Sequence, residues 1–232
     1  MLSTTSFPCF VFVLLWSSFY CSTSNAQQLS IGVTYDKQPL TLHQKYALAA
    51  TDDSVQIDLL KFYISNIQLM KGKKVVHQVA VKHWLVDYSD TSNLVLNLDV
   101  PKGICYNKIK YNIGVDSTTN AAGALGQDLD PMQGMYWAWQ SGYINIKIEG
   151  ESPICTTRDN RFQFHLGGFI SPYYALQTKT LKLKNRKEIV LNLALDQVLQ
   201  FMDLEKQPTI MQPSTAAMEL TPIFSSCITV GS

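Results

Sequence analysis

Apolar and polar residues alternate with a period of two along most of this chain. That pattern limits its fold more than any other feature. Leu29, Ile31, Val33 and Tyr35 share one parity, with Ser30, Gly32 and Thr34 on the other. Leu94, Leu96, Leu98 and Val100 repeat the pattern, as do Ile109, Tyr111, Ile113 and Val115. It returns at Ile144, Ile146 and Ile148, at Phe162, Phe164 and Leu166, at Leu181 and Leu183, and from Ile189 to Leu195. Successive side chains of a strand point to opposite faces, so each segment reads as a strand with one buried face. Many such strands in one chain predict antiparallel sheets packed face to face. The expectation is one all-β, antiparallel β-sandwich-like domain with short helical segments near the C-terminus.

Three segments depart from strict alternation. In Ile57–Met70, Leu60, Phe62 and Ile64 share a parity, and Ile67 and Leu69 then take the other. One extra residue near Ser65-Asn66 would produce that switch, so a β-bulge is predicted there. Leu195, Val198, Leu199 and Met202 stand at helical spacing, which predicts a helix over 195–204. A second short helix is predicted over 214–224, with Pro222 interrupting its end. The Lys71-Gly-Lys-Lys74 run between strands reads as a solvated hairpin tip.

Residues 7–20 are nearly all apolar and uncharged, and Ser24-Asn25-Ala26 fits a small-x-small cleavage site. This reads as an export signal over 1–26, with the domain over 27–232. The apolar run is shorter than a comfortable membrane span of ~20 residues. The n-region lacks Lys and Arg, and the bulky Tyr20 argues against a lipid anchor at Cys21. A periplasmic or secreted protein without a membrane span is expected. The formal net charge is +1 without strong clustering, which speaks against nucleic-acid binding.

An exported protein permits a disulfide. Cys105 precedes the strand at 109–116, and Cys155 follows the strand at 143–150. If those strands pair antiparallel, the start of one lies beside the end of the other. A Cys105–Cys155 bridge is then expected, with Cys227 free; three buried thiols are the alternative.

Between the strands at 109–116 and 143–150 runs a long Gly/Asn/Asp-rich loop. It ends in Met135, Tyr136, Trp137 and Trp139. Loops held by a rigid sheet are where binding tends to sit, and a loop of this length is unusual in a compact domain unless it has a task. Trp137 and Trp139 share a side if 136–141 is extended. They either cap the end of the sandwich or, with Tyr136 and Tyr143, form an aromatic platform for a glycan or a partner protein. Indole nitrogen is only a donor and ligates metal poorly, whereas oxidative opening to kynurenine frees an aromatic amine. His165 follows Phe164 on the opposite face, and the glycines after it allow close backbone approach. It reads either as a site residue or as a half-exposed histidine near a strand end. His43 and His77 read as surface residues, and Trp84 beside His83 as core. The chain has no HxH, HExxH, CxxC, GxSxG or P-loop pattern, so no enzyme is expected.

Several residues together carry a resemblance. They are Ile113-Gly-Val-Asp116, Asn120, Gly123, Gly126, Leu129-Asp-Pro131, Gly134-Met-Tyr-Trp-Ala-Trp139, Ser141-Gly-Tyr143, Lys147-Ile-Glu-Gly150 and Phe164-His-Leu-Gly167. Phe62-Tyr-Ile-Ser-Asn-Ile67 and Leu85-Val-Asp87 also fit. In order and spacing this set resembles the MbnP family, exported copper-binding-type proteins named after the methanobactin-associated periplasmic protein. The resemblance covers most of residues 27–232. It implies a β-sandwich-like exported protein. Some members bind copper through two histidines and a kynurenine, which a dihaem peroxidase-like partner, MbnH, makes from tryptophan. By position, Trp137 corresponds to the oxidised tryptophan and His165 to a copper ligand. Relatives can carry Trp-x-His where this chain has Trp137-Ala-Trp139, so one imidazole is replaced. Met135 or Met132 would complete a soft Cu(I) site. Three functions follow as expectations: copper handling at the Trp137/His165 end, recognition through the aromatic loop, or a metal-free structural member of the family.

Overall fold

A computed structural model describes residues 27–48, 51–183 and 188–231; the expected leader at 1–26 lies outside them. The main strands are β1 (Gln28–Tyr35), β2 (Ser54–Lys71), β3 (His83–Asp87), β4 (Lys108–Ile113), β5 (Gly142–Glu151), β6 (Arg161–Gly167), β7 (Gln177–Lys182), β8 (Glu188–Ala194) and β9 (Ile228–Val230). The helices are α1 (Ser117–Ala121), α2 (Leu195–Leu199) and α3 (Thr215–Ser226). Among the described residues no helix is long and apolar enough to cross a membrane.

The strands form two sheets that face each other. In the smaller one β9, β8 and β1 lie side by side. The larger one runs β7, β4, β2, β5 and β6 and ends at the short strand Thr209–Ile210. Leu29, Val33, Ile189, Leu191 and Leu193 of the first meet Ile57, Phe62, Ile64, Ile146, Phe162 and Phe164 of the second in one buried cluster. The all-β, sandwich-like class is therefore correct. The strictly antiparallel expectation is not: β1 and β8 are parallel, with Leu29 opposite Ile189 and Val33 opposite Leu193. Alternation records which face is buried, and that is the same for either direction.

β2 organises the larger sheet. Asn66 is exposed and takes a left-handed φ of 51°, and the register against β4 shifts between Ser65 and Gln68. This is the expected bulge. Before it Leu60, Phe62 and Ile64 are buried, and after it Ile67 and Leu69. β2 turns into the strand Lys74–Gln78 with Lys71 opposite Lys74, the expected hairpin tip.

Because β2 is 18 residues long, two strands share its length. β5 pairs with residues 56–62 and β4 with residues 64–70, both antiparallel. β4 and β5 therefore do not pair with each other as expected. Cys105 lies beyond the Met70 end of β2 and Cys155 beyond the Gln56 end. A disulfide needs its Cα atoms within about 7 Å, so the expected Cys105–Cys155 bridge is not formed. Cys105, Cys155 and Cys227 are free thiols, the first exposed and the other two buried.

The helical pieces shift slightly from their predicted bounds. α2 stops at Leu199 because tighter turns follow, with Phe201 N–H donating to Val198 and Met202 N–H to Leu199. α3 runs through Pro222 to Ser226, capped by the Ser214 hydroxyl on Ala217 N–H. Pro222 is exposed, so its missing N–H falls on the solvent side of the helix.

The long loop after β4 is not structureless. It forms α1 and two short 3-10 turns, at Gln127–Leu129 and Pro131–Gln133. It lies over the outer face of the larger sheet as a partial third layer. Tyr63, Leu85, Val115, Leu129, Met135, Trp137, Tyr143 and Ile144 form a second buried cluster there.

Candidate functional site

The site is built by the outer face of β5 and β6 and by the end of the long loop. On β6, Phe162, Phe164 and Leu166 point into the sandwich, so His165 and Gly167 point outward. On β5, Lys147 and Glu149 have the same outward parity, and Lys147 lies opposite His165. Lys147 also lies opposite Lys61 on β2, and Lys61 opposite Asp87 on β3. Asp87, Lys61, Lys147 and His165 thus form one row across four strands.

The loop is held to this face by hydrogen bonds. The Tyr143 hydroxyl donates to the Leu129 carbonyl at 2.9 Å and accepts from Leu125 N–H at 2.9 Å. Asn120 Oδ1 accepts from Tyr143 N–H at 2.8 Å, and the Tyr63 hydroxyl donates to the Asp128 carbonyl at 2.8 Å. Two lysines of the row reach the turn just before Trp137. Lys61 Nζ donates to the Gln133 carbonyl at 3.4 Å, and Lys147 Nζ to the Gly134 carbonyl at 3.1 Å. Chain direction then reverses, and Tyr136–Trp137 pairs with Tyr143 and Gly142.

The six-membered ring of Trp137 packs against β6 where Gly167 has no side chain. A Cβ there would stand 2.9 Å from Trp137 Cζ3 and 2.7 Å from the Tyr143 carbonyl oxygen. The expected close backbone approach after His165 is therefore made by this indole. Trp137 is buried, and its Nε1 has no hydrogen-bond partner among the described residues. Trp139 is 66% exposed, with its ring centroid 6.2 Å from that of Trp137.

A cavity of about 580 Å³ opens between these groups, lined among others by Tyr136, Trp137, Trp139, Lys147, His165 and Met211. Gln207, Thr209, Gln212 and Ser214 complete a largely polar rim. A second cavity of about 260 Å³ lies on the other side of Trp137, against Phe169, Ile170, Pro172 and Tyr173. Trp137 is the wall between the two.

Four expected site residues, Trp137, His165, Tyr136 and Trp139, therefore share one cavity. Three other sequence candidates do not. Met135 is fully buried in the outer cluster and does not line the cavity. Tyr143 is 1% exposed and fastens the loop instead of offering a platform. Met132 is 91% exposed on the loop surface. The thioether at the cavity belongs to Met211, which sequence reasoning missed. Thr209–Ile210 pairs parallel with Gln163 and Phe164, and this places the next residue beside His165.

His165 is 4% exposed, and its Nε2 lies 2.7 Å from Glu149 Oε1. Lys147 Nζ lies 3.4 Å from the same oxygen. The hydrogen bond from His165 outweighs burial and, with the Lys147 ammonium, pulls the Glu149 carboxyl down to about 2. Burial pushes Asp87 up, but hydrogen bonds from Lys61 and Ser89 outweigh it and hold that carboxyl below its ordinary value.

The other histidines are engaged elsewhere. His43 Nδ1 pairs with Asp58 at 3.0 Å on the surface. His77 is half-buried with Nε2 3.2 Å from the Leu98 carbonyl. His83 faces Asp116 at 3.3 Å, and Trp84 beside it is core. Among the described residues no cluster of three or more His, Cys, Asp or Glu side chains is placed to hold a metal ion. The cavity offers instead one carboxylate-anchored imidazole and one thioether, beside the Trp137 ring. Imidazole with thioether is a donor set suited to soft Cu(I); the indole cannot join it unless its ring is opened.

No curated protein sequence matches the chain. The family model for MbnP matches residues 24–212. The solved structure of MbnP from Methylosinus trichosporium superposes on it with a TM-score of 0.63 at 14% sequence identity, covering 83% of this chain and 82% of that one. At that identity the likeness speaks for the fold.

Proposed function

The chain belongs to the MbnP family, and from that premise we propose that it is a non-catalytic copper-handling protein, exported to the periplasm or beyond. Its site is the cavity shared by His165 and Trp137. The observation that carries this reading is the meeting of those two side chains, one from the end of the long loop and one from β6, at one cavity. The Met211 thioether on the same wall supports it. His165 supplies the imidazole, Met211 a soft sulfur, and Trp137 a third ligand once converted to kynurenine by a haem enzyme of the MbnH type.

The test is the Cu(I) affinity of the purified protein, measured by competition with a chromogenic Cu(I) chelator. His165→Ala is expected to abolish tight binding while thermal unfolding stays cooperative. Undiminished affinity in that variant would sink the assignment. A peptide mass spectrum across Gly134–Lys147, on protein from its native host, reports separately on Trp137. Two unmodified tryptophans there would remove kynurenine from the ligand set.

One observation favours a second reading. Trp139 stands 66% exposed at the cavity mouth, a position that suits stacking against a sugar or a partner's side chain. That reading predicts metal-independent binding that is lost in Trp139→Ala. A glycan array and pull-down without hits would reject it.

A further inference from the structure

We propose that Glu149 is the positioning residue of the His165 site, selecting which imidazole nitrogen is offered to a ligand. The inference rests on the copper reading only for its consequence, since the positioning itself concerns the metal-free protein. Glu149 Oε1 lies 2.7 Å from His165 Nε2, and an ionised carboxylate can only accept. The ring must therefore carry a proton on Nε2. When the imidazole is neutral, its lone pair is then on Nδ1, which has no hydrogen-bond partner among the described residues. A cavity ligand meets Nδ1.

One further contact fixes the carboxylate. Lys147 Nζ approaches the same Oε1 at 3.4 Å and donates to the Gly134 carbonyl at 3.1 Å. The oxygen that holds His165 is thus tied through one ammonium to the turn that delivers Trp137. His165, Glu149, Lys147 and the 133–134 turn form one connected set. Carboxylate partners of ligating histidines act in this manner, fixing tautomer and ring orientation.

The experiment is long-range ¹⁵N–¹H NMR of the His165 ring in metal-free full chain, recorded at a pH where the ring is neutral. Cu(I) competition on the same samples gives the second readout. Wild type is expected to show a single Nε2–H tautomer. Glu149→Ala should give a tautomer mixture and a loss of Cu(I) affinity of about 10–100-fold. Glu149→Gln keeps an acceptor oxygen, which Lys147 orients toward itself and His165. It should retain the tautomer and most of the affinity, which separates orientation from charge. An Nδ1–H tautomer in wild type, or an unchanged tautomer in Glu149→Ala, overturns the proposal. If wild type shows the Nε2–H tautomer but does not bind Cu(I), the copper reading fails and the positioning role stands.

Discussion

Two residues set the site, and each leads to a measurement. The Trp137 ring occupies the space that a side chain at Gly167 would need. Gly167→Ala should push that ring off the strand and destabilise the fold by about 1–3 kcal/mol, the usual cost of overpacking. Urea unfolding and a shift in tryptophan emission would check this together. Glu149 gives a pH dependence of defined sign. Its carboxyl falls from an ordinary value near 4.5 to about 2, so the folded state holds the ionised form more strongly than the unfolded state does. The stabilisation is complete above about pH 4.5 and is lost as pH falls toward 2. Glu149→Gln should therefore narrow the stability gap between pH 6 and about pH 2.5, measured by denaturant midpoints. Trp137 was legible because it ends a long loop before a strand, and His165 because glycines follow it; only the family resemblance joined the two in one site. Lys147 and Glu149 were not, because charged residues at alternate positions of a strand look like an ordinary solvated face. Met211 was hidden more deeply: only the parallel pairing of Thr209–Ile210 with β6 brings it to His165.

At the level of elements, the same alternation that identified the strands gave no information on their partners. The bulge in β2 was readable, because the apolar parity changes across Asn66. The sharing of β2 between β4 and β5 was not, because nothing local distinguishes a strand paired along its whole length from one paired along half. The expected disulfide failed for that reason. α3 shows another element-level device. Lys179 on β7 reaches its C-terminal end, donating to the carbonyls of Ser225, Ser226 and Ile228. Burial lowers its pKa, yet a cation at the negative end of a helix dipole is favourable. Lys179→Met keeps the stem and removes the donor. It should cost about 1.5–3 kcal/mol, the range for hydrogen bonds to charged groups, read as a shift in urea midpoint without a change in slope.

For the whole molecule, the free thiols make a prediction that the expected disulfide would reverse. Cys105 is exposed, while burial pushes the thiols of Cys155 and Cys227 up. Native protein treated with iodoacetamide should be labelled at Cys105, with Cys155 and Cys227 protected until denaturant is added. Reducing agent should leave the Tm unchanged. Protection of Cys105 in the native protein, relieved by reductant, would instead indicate a bridge. The parallel ladder of β1 with β8 has a consequence in time. β1 is made about 160 residues before its ladder partner, with Ile189 opposite Leu29. At a synthesis rate of ~5–20 residues per second, β1 waits on the order of ten to thirty seconds for that partner. Throughout that interval whatever precedes residue 27 is joined to a strand that still lacks its parallel partner, a looser condition in which a polypeptide is more easily threaded through a narrow channel.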